Sequence, residues 1–345
     1  MVGQGLAGSC LAMRLLAQGK RIVVFDDPQN NSSSAKAAGL FNPITGKLLT
    51  RTWMADKVFP ELMHFYRSME DWLGSRFFYP QPIYRPFISV EEQNEWMGLS
   101  VQVNMKNYIE QVFTTSTYGH QVHDPYGGIL VKGGYLDVNS FIDSIRNHLM
   151  SLQAYQLAVF EESELKIDES YVQYHQYKAA KIILCTGTSI LNSRSFGGVP
   201  IRPLKGETIS IQLGEQPELI FNRGVYVVPW GSLFKVGATY EARNLSDTIT
   251  QEGRQELEQK LIELMKISYQ VEEQDWGFRP TTPDRRPIMG YYPELKNVVI
   301  FNGLGTKGVS LAPYFSAQLA NWLSGGGEFQ PDVNISRFKS LFSKS

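Results

Sequence analysis

The stretch Met1-Val2-Gly3-Gln4-Gly5-Leu6-Ala7-Gly8-Ser9 decides the fold. It contains the pattern G-x-G-x-x-G, and apolar residues follow it at helical spacing at Leu11, Ala12, Leu15 and Leu16. This combination predicts a tight turn that leads directly into a buried helix.

Each glycine of the pattern has a physical role in binding a dinucleotide. Gly3 permits the tight turn, Gly5 lets the backbone approach a pyrophosphate, and Gly8 lets the helix pack closely on a strand. The first turn of the helix then offers backbone N–H groups and a partial positive charge to phosphate. We therefore expect Gly3, Gly5, Leu6, Ala7 and Gly8 to bind the cofactor.

The second strand and its acidic end support this reading. Residues 21–25, Arg-Ile-Val-Val-Phe, have the apolar character of a buried parallel strand. Asp26 closes the strand about 20 residues after the glycines, where a ribose-binding acid is expected, and Asp27 follows it. Asp26 and Asp27 are therefore predicted cofactor contacts.

The first strand is short in this sequence. A strand usually has about five or six residues, whereas only Met1 and Val2 precede Gly3. We expect a version extended upstream through an apolar run to bind the cofactor more tightly.

The length and composition of the chain exclude several classes of function. The 345 residues are enough for two domains, and the formal net charge of −1 gives no electrostatic case for nucleic acid. No apolar run reaches the length of a membrane span, no targeting segment is visible, and no metal-ligand spacing occurs. Cys10 and Cys185 lie in apolar contexts, so we expect buried thiols and a cytoplasmic protein.

The segment after the second strand carries a family resemblance. A polar loop leads through Ser33 and Ser34 into Ala37-Ala38-Gly39. Here the sequence resembles the D-amino-acid oxidase superfamily of flavoproteins, which includes glycine oxidase and sarcosine oxidase. The resemblance implies that FAD is the cofactor and that Ser33, Ser34, Ala38 and Gly39 contact it.

Two later strands are expected at the same cofactor. In the resembled family, a short strand such as Leu157-Ala158-Val159 lies beside the adenine, which makes Val159 a predicted contact. Residues 181–187 read as a buried strand that ends in Thr186-Gly187. Because open α/β sheets bind ligands at the carboxyl ends of their strands, Thr186 and Gly187 are predicted to face the diphosphate.

The C-terminal part carries two further motifs. Residues 276–290 resemble the Gly-x-Arg-Pro-x-Thr-x-Asp-x-x-Pro-x-x-Gly element of the family, and residues 298–313 resemble its last strand, glycine turn and helix. The turn and helix start predict cofactor contacts at Gly303, Gly305, Thr306, Lys307, Gly308 and Val309. The charge of Lys307 and the helix N–H groups would stabilise a reduced flavin.

Four residues are candidates for the chemistry. Arg279 lies between aromatic residues and could clamp a substrate carboxylate, although an ion pair with Asp284 is an alternative. The resemblance implies that Tyr226 and Tyr240 face the substrate, whereas both could equally be core residues. Lys307 is the fourth, through its position beside the flavin.

The sequence therefore predicts a two-domain α/β (α+β) fold. A Rossmann-like FAD-binding domain with a central parallel sheet covers residues 1–45, 127–210 and 285–345. A substrate-binding domain on a mixed or antiparallel sheet covers residues 46–126 and 211–284. The block of strands around a predicted hairpin at Gly231-Ser232 supports the second domain.

The predicted activity is oxidation of the C–N bond of an amino acid or related amine. Hydride would pass to FAD, and oxygen or another acceptor would reoxidise it. FAD is expected to be non-covalent, because Thr281-Thr282-Pro283 lacks the cysteine that sarcosine oxidase-like members use for attachment. Alternatives are an oxidoreductase acting on a carboxymethylaminomethyl group of modified tRNA, a protein of this fold without turnover, and a nicotinamide dehydrogenase.

Overall fold

The computed structural model describes residues 1–28, 33–45 and 50–342. Its α-helices are α1 (Leu6–Ala17), α2 (Ser33–Lys36), α3 (Ala55–Leu73), α4 (Val90–Ser100), α5 (Val138–Ser151), α6 (Gln251–Leu264), α7 (Gly308–Leu323) and α8 (Lys339–Phe342). Short 3-10 helices span Glu162–Glu164, Gly187–Asn192, Gly305–Lys307, Pro331–Val333 and Ile335–Phe338.

The strands form several sheets. The first half of the chain contributes β1 (Val24–Asp26), β2 (Leu40–Phe41), β3 (Ile44–Thr45), β4 (Thr50–Arg51), β5 (Phe78–Pro80), β6 (Ile83–Pro86), β7 (Ile109–Phe113), β8 (Gly128–Val131), β9 (Gly134–Leu136), β10 (Tyr155–Leu157), β11 (Leu165–Ile167) and β12 (Val172–Tyr174). The second half contributes β13 (Tyr177–Ala179), β14 (Ile182–Leu184), β15 (Arg202–Leu213), β16 (Ile220–Arg223), β17 (Val225–Trp230), β18 (Leu233–Gly237), β19 (Tyr269–Thr281), β20 (Ile288–Tyr292) and β21 (Leu295–Asn302).

The predicted parallel sheet is present. Strand β1 pairs in parallel with β10, and β14 pairs in parallel with β21. Val2 joins the two pairs, because it forms parallel bridges with both Phe25 and Leu184. The N–H of Val2 donates to the carbonyl of Ile183 at 2.9 Å, and the N–H of Gly3 donates to that of Phe25 at 2.8 Å. The segment before the glycine turn therefore occupies the central position of the sheet.

The helices α1, α3, α5 and α7 cover this sheet in one large core. Helix α1 buries Cys10, Leu11 and Leu15 there, and α7 contributes Phe315 and Leu319. Burial of this apolar area is the main force that holds the glycine turn against the strand ends.

A larger mixed sheet forms the other layer. Its strand order is β19-β15-β18-β17-β16-β6-β8-β7. The predicted hairpin is confirmed, since Trp230 of β17 pairs with Leu233 of β18. A second core lies between this sheet and α6, where Leu257 and Leu261 are fully buried.

The domain bounds remain a prediction. Strands β8 and β15 lie in the large mixed sheet, although residues 127–210 are predicted to belong to the FAD-binding domain. Helix α3 packs in the core of the parallel sheet, although residues 46–126 are predicted to belong to the substrate-binding domain. The predicted boundary at 45 and 46 adjoins residues 46–49, which lie outside the described residues, as do residues 343–345.

The cysteine prediction is confirmed, because Cys10 and Cys185 are buried and unpaired. None of the helices in the described part of the chain has both the length and the apolar character needed to cross a membrane.

Candidate active site

A cleft of about 390 Å³ lies between the parallel sheet and the large mixed sheet. Its floor is formed where β1, β10, β14, β21 and the Val2 segment end, which is the expected ligand position of an open α/β sheet. Most predicted cofactor residues line it: Gly3, Gly5, Leu6, Ala7, Asp26, Asp27, Ser33, Ser34, Ala38, Gly39, Val159, Thr186, Gly187, Gly305, Thr306, Gly308 and Val309. The substrate candidates Tyr226, Tyr240 and Arg279 line it as well.

The glycine turn has the geometry that its sequence predicts. Gly3 has a φ of +89°, which is in the region that favours glycine. Gly8 does not line the cleft, but a Cβ there would lie 2.0 Å from the carbonyl oxygen of Gly3. Gly8 therefore acts through packing, which lets α1 begin directly behind the turn. The N–H of Leu6 donates to the hydroxyl of Ser34 at 3.1 Å and so ties the serine loop to the start of α1.

The carboxylate of Asp26 is held in place at the end of β1. Its Oδ1 accepts from the N–H of Gln4 at 2.8 Å, and its Oδ2 accepts from the hydroxyl of Tyr155 at 3.2 Å. Each oxygen retains further acceptor capacity. Asp26 is thus fixed at the cleft wall where a ribose hydroxyl could donate to it.

Thr186 gives an independent sign of a binding site. The residue lines the cleft, and its buried hydroxyl has no hydrogen-bond partner among residues 1–28, 33–45 and 50–342. Because a buried polar atom without a partner is costly, this hydroxyl fits a group that a bound dinucleotide would supply. Beside it, the side-chain amide of Asn302 donates to the carbonyl of Gly187 at 2.8 Å, and its Oδ1 accepts from the N–H of Gly303. Asn302 therefore links the turn after β14 to the turn after its neighbouring strand β21.

The C-terminal turn only partly follows the prediction. Gly303 has a φ of +74° and packs on Thr282 rather than lining the cleft. Lys307 also does not line the cleft, although its neighbours Thr306 and Gly308 do. Its ammonium donates to the hydroxyls of Thr45 at 3.0 Å and Thr52 at 3.2 Å. Burial and, to a smaller extent, the charge of Arg285 lower the pKa of Lys307.

Arg279 presents a guanidinium to the cleft. Its Nη1 donates to the carbonyls of Thr239 at 3.2 Å and Lys205 at 3.4 Å. The alternative partner Asp284 instead accepts from Arg337 at 2.8 Å. Within residues 1–28, 33–45 and 50–342, Arg279 forms no ion pair with a carboxylate. Its remaining N–H groups can therefore meet an anionic ligand.

The two tyrosines occupy different depths of the cleft. Tyr226 lies on β17 with its hydroxyl against Gly237, where a Cβ would be only 2.6 Å from it. Burial raises the pKa of the Tyr226 phenol, while the nearby charge of Arg279 partly opposes this shift. Tyr240 lies at the mouth with 67% of its surface exposed. Tyr226 is thus a wall residue, and Tyr240 is a residue of the entrance.

Sequence reasoning missed several residues of this half of the cleft. Lys36, Leu40, Gly206, Thr208 and Ala238 all line it. Gly206 could have been found, because a glycine between Lys205 and Glu207 at the start of a long strand is unusual. The others carry no local signal, since only the pairing of distant strands brings them to the cleft.

Comparison with known protein families gives one match that covers most of the chain. The family model described as DAO, FAD dependent oxidoreductase, matches residues 1–322.

Curated relatives are distant. A bifunctional protein ThiO/ThiG of Trichormus variabilis is 25% identical over 371 residues, covering 100% of this chain and 55% of its own length. A tRNA 5-methylaminomethyl-2-thiouridine biosynthesis bifunctional protein MnmC of Hydrogenovibrio crunogenus is 23% identical, covering 86% of this chain and 47% of its own length. The chain thus spans about half the length of the curated relatives it matches.

Solved structures show the same fold. Iminodiacetate oxidase from Chelativorans sp. BNC1 superposes with a TM-score of 0.76 at 18% identity, covering 96% of this chain and 98% of that one. Glycine oxidase from Bacillus cereus superposes with a TM-score of 0.73 at 18% identity, covering 100% and 98%.

Proposed function

Since this chain belongs to the DAO family of FAD-dependent oxidoreductases, we propose that it oxidises the C–N bond of an amino acid or related amine. Hydride from the α carbon would be taken up by non-covalently bound FAD, and oxygen or another acceptor would take the electrons onward. FAD supplies the hydride acceptor, and the residues of the chain bind and orient the substrate. The names of the structural neighbours, glycine oxidase and iminodiacetate oxidase, support an amino-acid substrate.

Arg279 is the observation that carries this proposal. Two backbone carbonyls fix its Nη1, and no carboxylate of the described residues pairs with it. A guanidinium that is held on one edge and open on the other is suited to bind a carboxylate with two parallel hydrogen bonds. Such a contact fixes the α carbon of an amino acid in one orientation.

The substrate amine is proposed to react in its neutral form. The acidic side chains in the described lining are Asp26, Asp27 and Glu162, and all three belong to segments of the nucleotide half. No acid of the described lining is therefore placed beside Arg279 to stabilise an ammonium. A neutral amine can donate its lone pair as hydride leaves the α carbon, so the reaction needs orientation more than a positioned base.

Non-covalent binding of FAD is supported by the state of the thiols. Cys185 lines the cleft beside Thr186, but burial raises its pKa to about 12, so the thiol is not ionised at neutral pH. The positions after the Arg-Pro pair are Thr281 and Thr282, which offer no thiol.

The tRNA-modifying alternative rests on the relative named MnmC. Action on tRNA would need a basic surface for the phosphate backbone, and the net charge of −1 provides no overall excess of positive charge. We therefore place this function second.

The test is an anaerobic panel with the purified holoprotein. Glycine, iminodiacetate, L-proline and D-alanine are each mixed with the protein, and loss of flavin absorbance reports reduction. Methylamine, pyrrolidine and ethylamine serve as matched amines that lack the carboxylate. Bleaching by at least one carboxylated amine, and weaker bleaching by its decarboxylated partner, supports the proposal. Bleaching by none of them would contradict it, and activity only on a carboxymethylaminomethyl-modified tRNA would favour the alternative.

A further inference from the structure

Gly206 lies directly beneath the guanidinium of Arg279. A Cβ built on Gly206 would lie 2.0 Å from Nη2, 2.3 Å from Cζ and 2.3 Å from Nη1 of Arg279. All three distances are far inside van der Waals contact, so the arginine occupies the space that any side chain at 206 would need.

The strand register explains this contact. Gly206 of β15 pairs with Gly277 of β19, and Arg279 pairs with Leu204. Arg279 is therefore the diagonal neighbour of Gly206 on the same face of the sheet, within reach of a long side chain. Because Gly206 has no side chain, the guanidinium can lie flat on the backbone and reach the carbonyl of Lys205.

The side chains of Lys205 and Glu207 lie on the opposite face of the same segment, away from the guanidinium of Arg279. The ammonium of Lys205 pairs with the carboxylate of Glu207 at 3.1 Å, and both side chains are almost completely buried. Lys205 also donates to the hydroxyl of Ser246 at 3.0 Å, and Glu207 accepts from the N–H of Thr250 at 2.9 Å. These contacts anchor residues 241–250, the segment that leads away from Tyr240.

Backbone hydrogen bonds of residues 205–207 also help to hold Arg279 in place. The N–H of Glu207 donates to the hydroxyl of Thr239, and the carbonyl of Thr239 accepts from Arg279. One face of Lys205-Gly206-Glu207 thus receives the guanidinium, while the other fixes the chain that supplies Thr239 and Tyr240.

We propose that Gly206 is a positioning residue for carboxylate binding: its missing side chain sets the depth and orientation of Arg279. This inference rests on the proposed function, because it gives Arg279 a carboxylate to bind. A methyl group at 206 must push the guanidinium out of the cleft wall, which separates it from the carbonyls of Lys205 and Thr239.

The test uses the FAD-loaded protein and anthranilate as probe. Anthranilate has a carboxylate but no hydrogen on its amine-bearing carbon, so it reports binding without turnover through the flavin spectrum. We expect Gly206→Ala and Arg279→Ala each to weaken anthranilate binding about a hundredfold. Combining them should add little, because both changes remove the same contact. Additive losses would overturn the inference.

Gly277→Ala is the matched variant, since Gly277 is the cross-strand partner of Gly206. A Cβ there would lie 3.4 and 3.6 Å from the Cβ and Cγ of Lys36 and 3.8 Å from the Cα of Ser33, which are ordinary or nearly ordinary van der Waals distances. We expect its loss in affinity to be at most about threefold, and a loss as large as that of Gly206→Ala would count against a specific role of position 206.

Stability is measured alongside. If Gly206→Ala fails to fold, recovery of folding in Gly206→Ala/Arg279→Ala shows that the clash is with Arg279, and failure of that rescue overturns the inference.

The proposed function and the role of Gly206 are contradicted by different results. Wild type that binds FAD but no carboxylate contradicts both, whereas wild-type binding lost in Arg279→Ala but kept in Gly206→Ala contradicts only the role of Gly206.

Discussion

The Cζ atom of Arg279 lies 4.8 Å from the centre of the Tyr240 ring. This is a cation–π contact at the mouth of the cleft, and it holds the guanidinium between an exposed ring and the backbone of Gly206. The arginine is therefore fixed before any ligand arrives, which lowers the entropic cost of binding a carboxylate.

The first prediction concerns the fork geometry of Arg279. Arg279→Lys keeps the charge but cannot make two parallel hydrogen bonds, so it should be nearly as damaging as Arg279→Ala. We expect kcat/KM for a carboxylated amine to fall about a hundredfold, about 3 kcal/mol. The decarboxylated amine should lose much less. Steady-state kinetics on both substrates, with FAD occupancy and Tm, checks this, and equal losses with a lowered Tm would assign Arg279 to the scaffold.

The second prediction concerns the hydroxyl of Thr186, for which the described part of the chain offers no hydrogen-bond partner. Thr186→Val keeps the shape and removes only this group, so the FAD-free protein should not lose stability. If the hydroxyl serves the cofactor, the Kd for FAD should rise about 3- to 10-fold. Fluorescence titration of the apoprotein with FAD measures this. Thr282→Val is the contrasting control, because its hydroxyl donates to the carbonyl of Arg286 at 2.7 Å and its loss should lower the Tm. An unchanged Kd in Thr186→Val would contradict the assignment.

The third prediction concerns Lys307, which lies between the cleft-lining residues Thr306 and Gly308 in the chain. Its ammonium donates to the neutral hydroxyls of Thr45 and Thr52. We expect its charge to favour the reduced flavin, which carries a negative charge. We expect Lys307→Met to retain FAD and to lower the two-electron reduction potential by about 30 mV, which corresponds to about 1.4 kcal/mol. Lys307→Arg keeps the charge and should shift the potential far less. Spectroelectrochemical titration of wild type and both variants measures the reduction potential of the bound flavin. Equal potentials in wild type and Lys307→Met would refute a role of Lys307 in flavin reduction.

The fourth prediction is a pH dependence of stability at Lys235. Its side chain is fully buried, and its ammonium lies 3.9 Å from the carboxylate of Asp275 and 3.5 Å from the centre of the Trp230 ring. Burial lowers the pKa of Lys235 from 10.5 to about 8, and the charge of Asp275 only partly opposes this. Below pH 8 the ammonium of Lys235 is charged in the folded state, although water would solvate this charge better than the protein interior does. Between pH 8 and 10.5 the unfolded state binds more protons than the folded state, so stability rises with pH across that window.

Lys235→Met should therefore stabilise the protein at pH 7 by about 1–2 kcal/mol, or about 1–3 °C in Tm for a chain of this length. The gain should shrink at pH 10, where wild type has lost most of the penalty. Thermal melts at both pH values test this, with Lys20→Met at an exposed position as control. A gain that is the same at both pH values would show that Lys235 does not carry the penalty.

The sequence predicted those parts of the fold that depend on neighbours in the chain. The glycine turn, the end of β1 at Asp26 and the end of β14 at Thr186 follow from short patterns of glycine and apolar residues, and all reach one cleft. The orientation of Lys307 could not be predicted, because its hydroxyl partners Thr45 and Thr52 come from a distant hairpin. The fit between Gly206 and Arg279 likewise depends on the register of β15 and β19, which no local pattern encodes.

The central place of Val2 in the parallel sheet also governs the order in which the protein can be assembled during synthesis. Its two strand partners, Phe25 and Leu184, are far apart in the chain, and the wall opposite the glycine turn is closed by Gly305 to Val309. A nascent chain therefore exposes its glycine turn long before the opposite wall exists. The cleft can enclose FAD only when the residues through Val309 have left the ribosome, and until then the unpaired edge of the sheet is a target for chaperones.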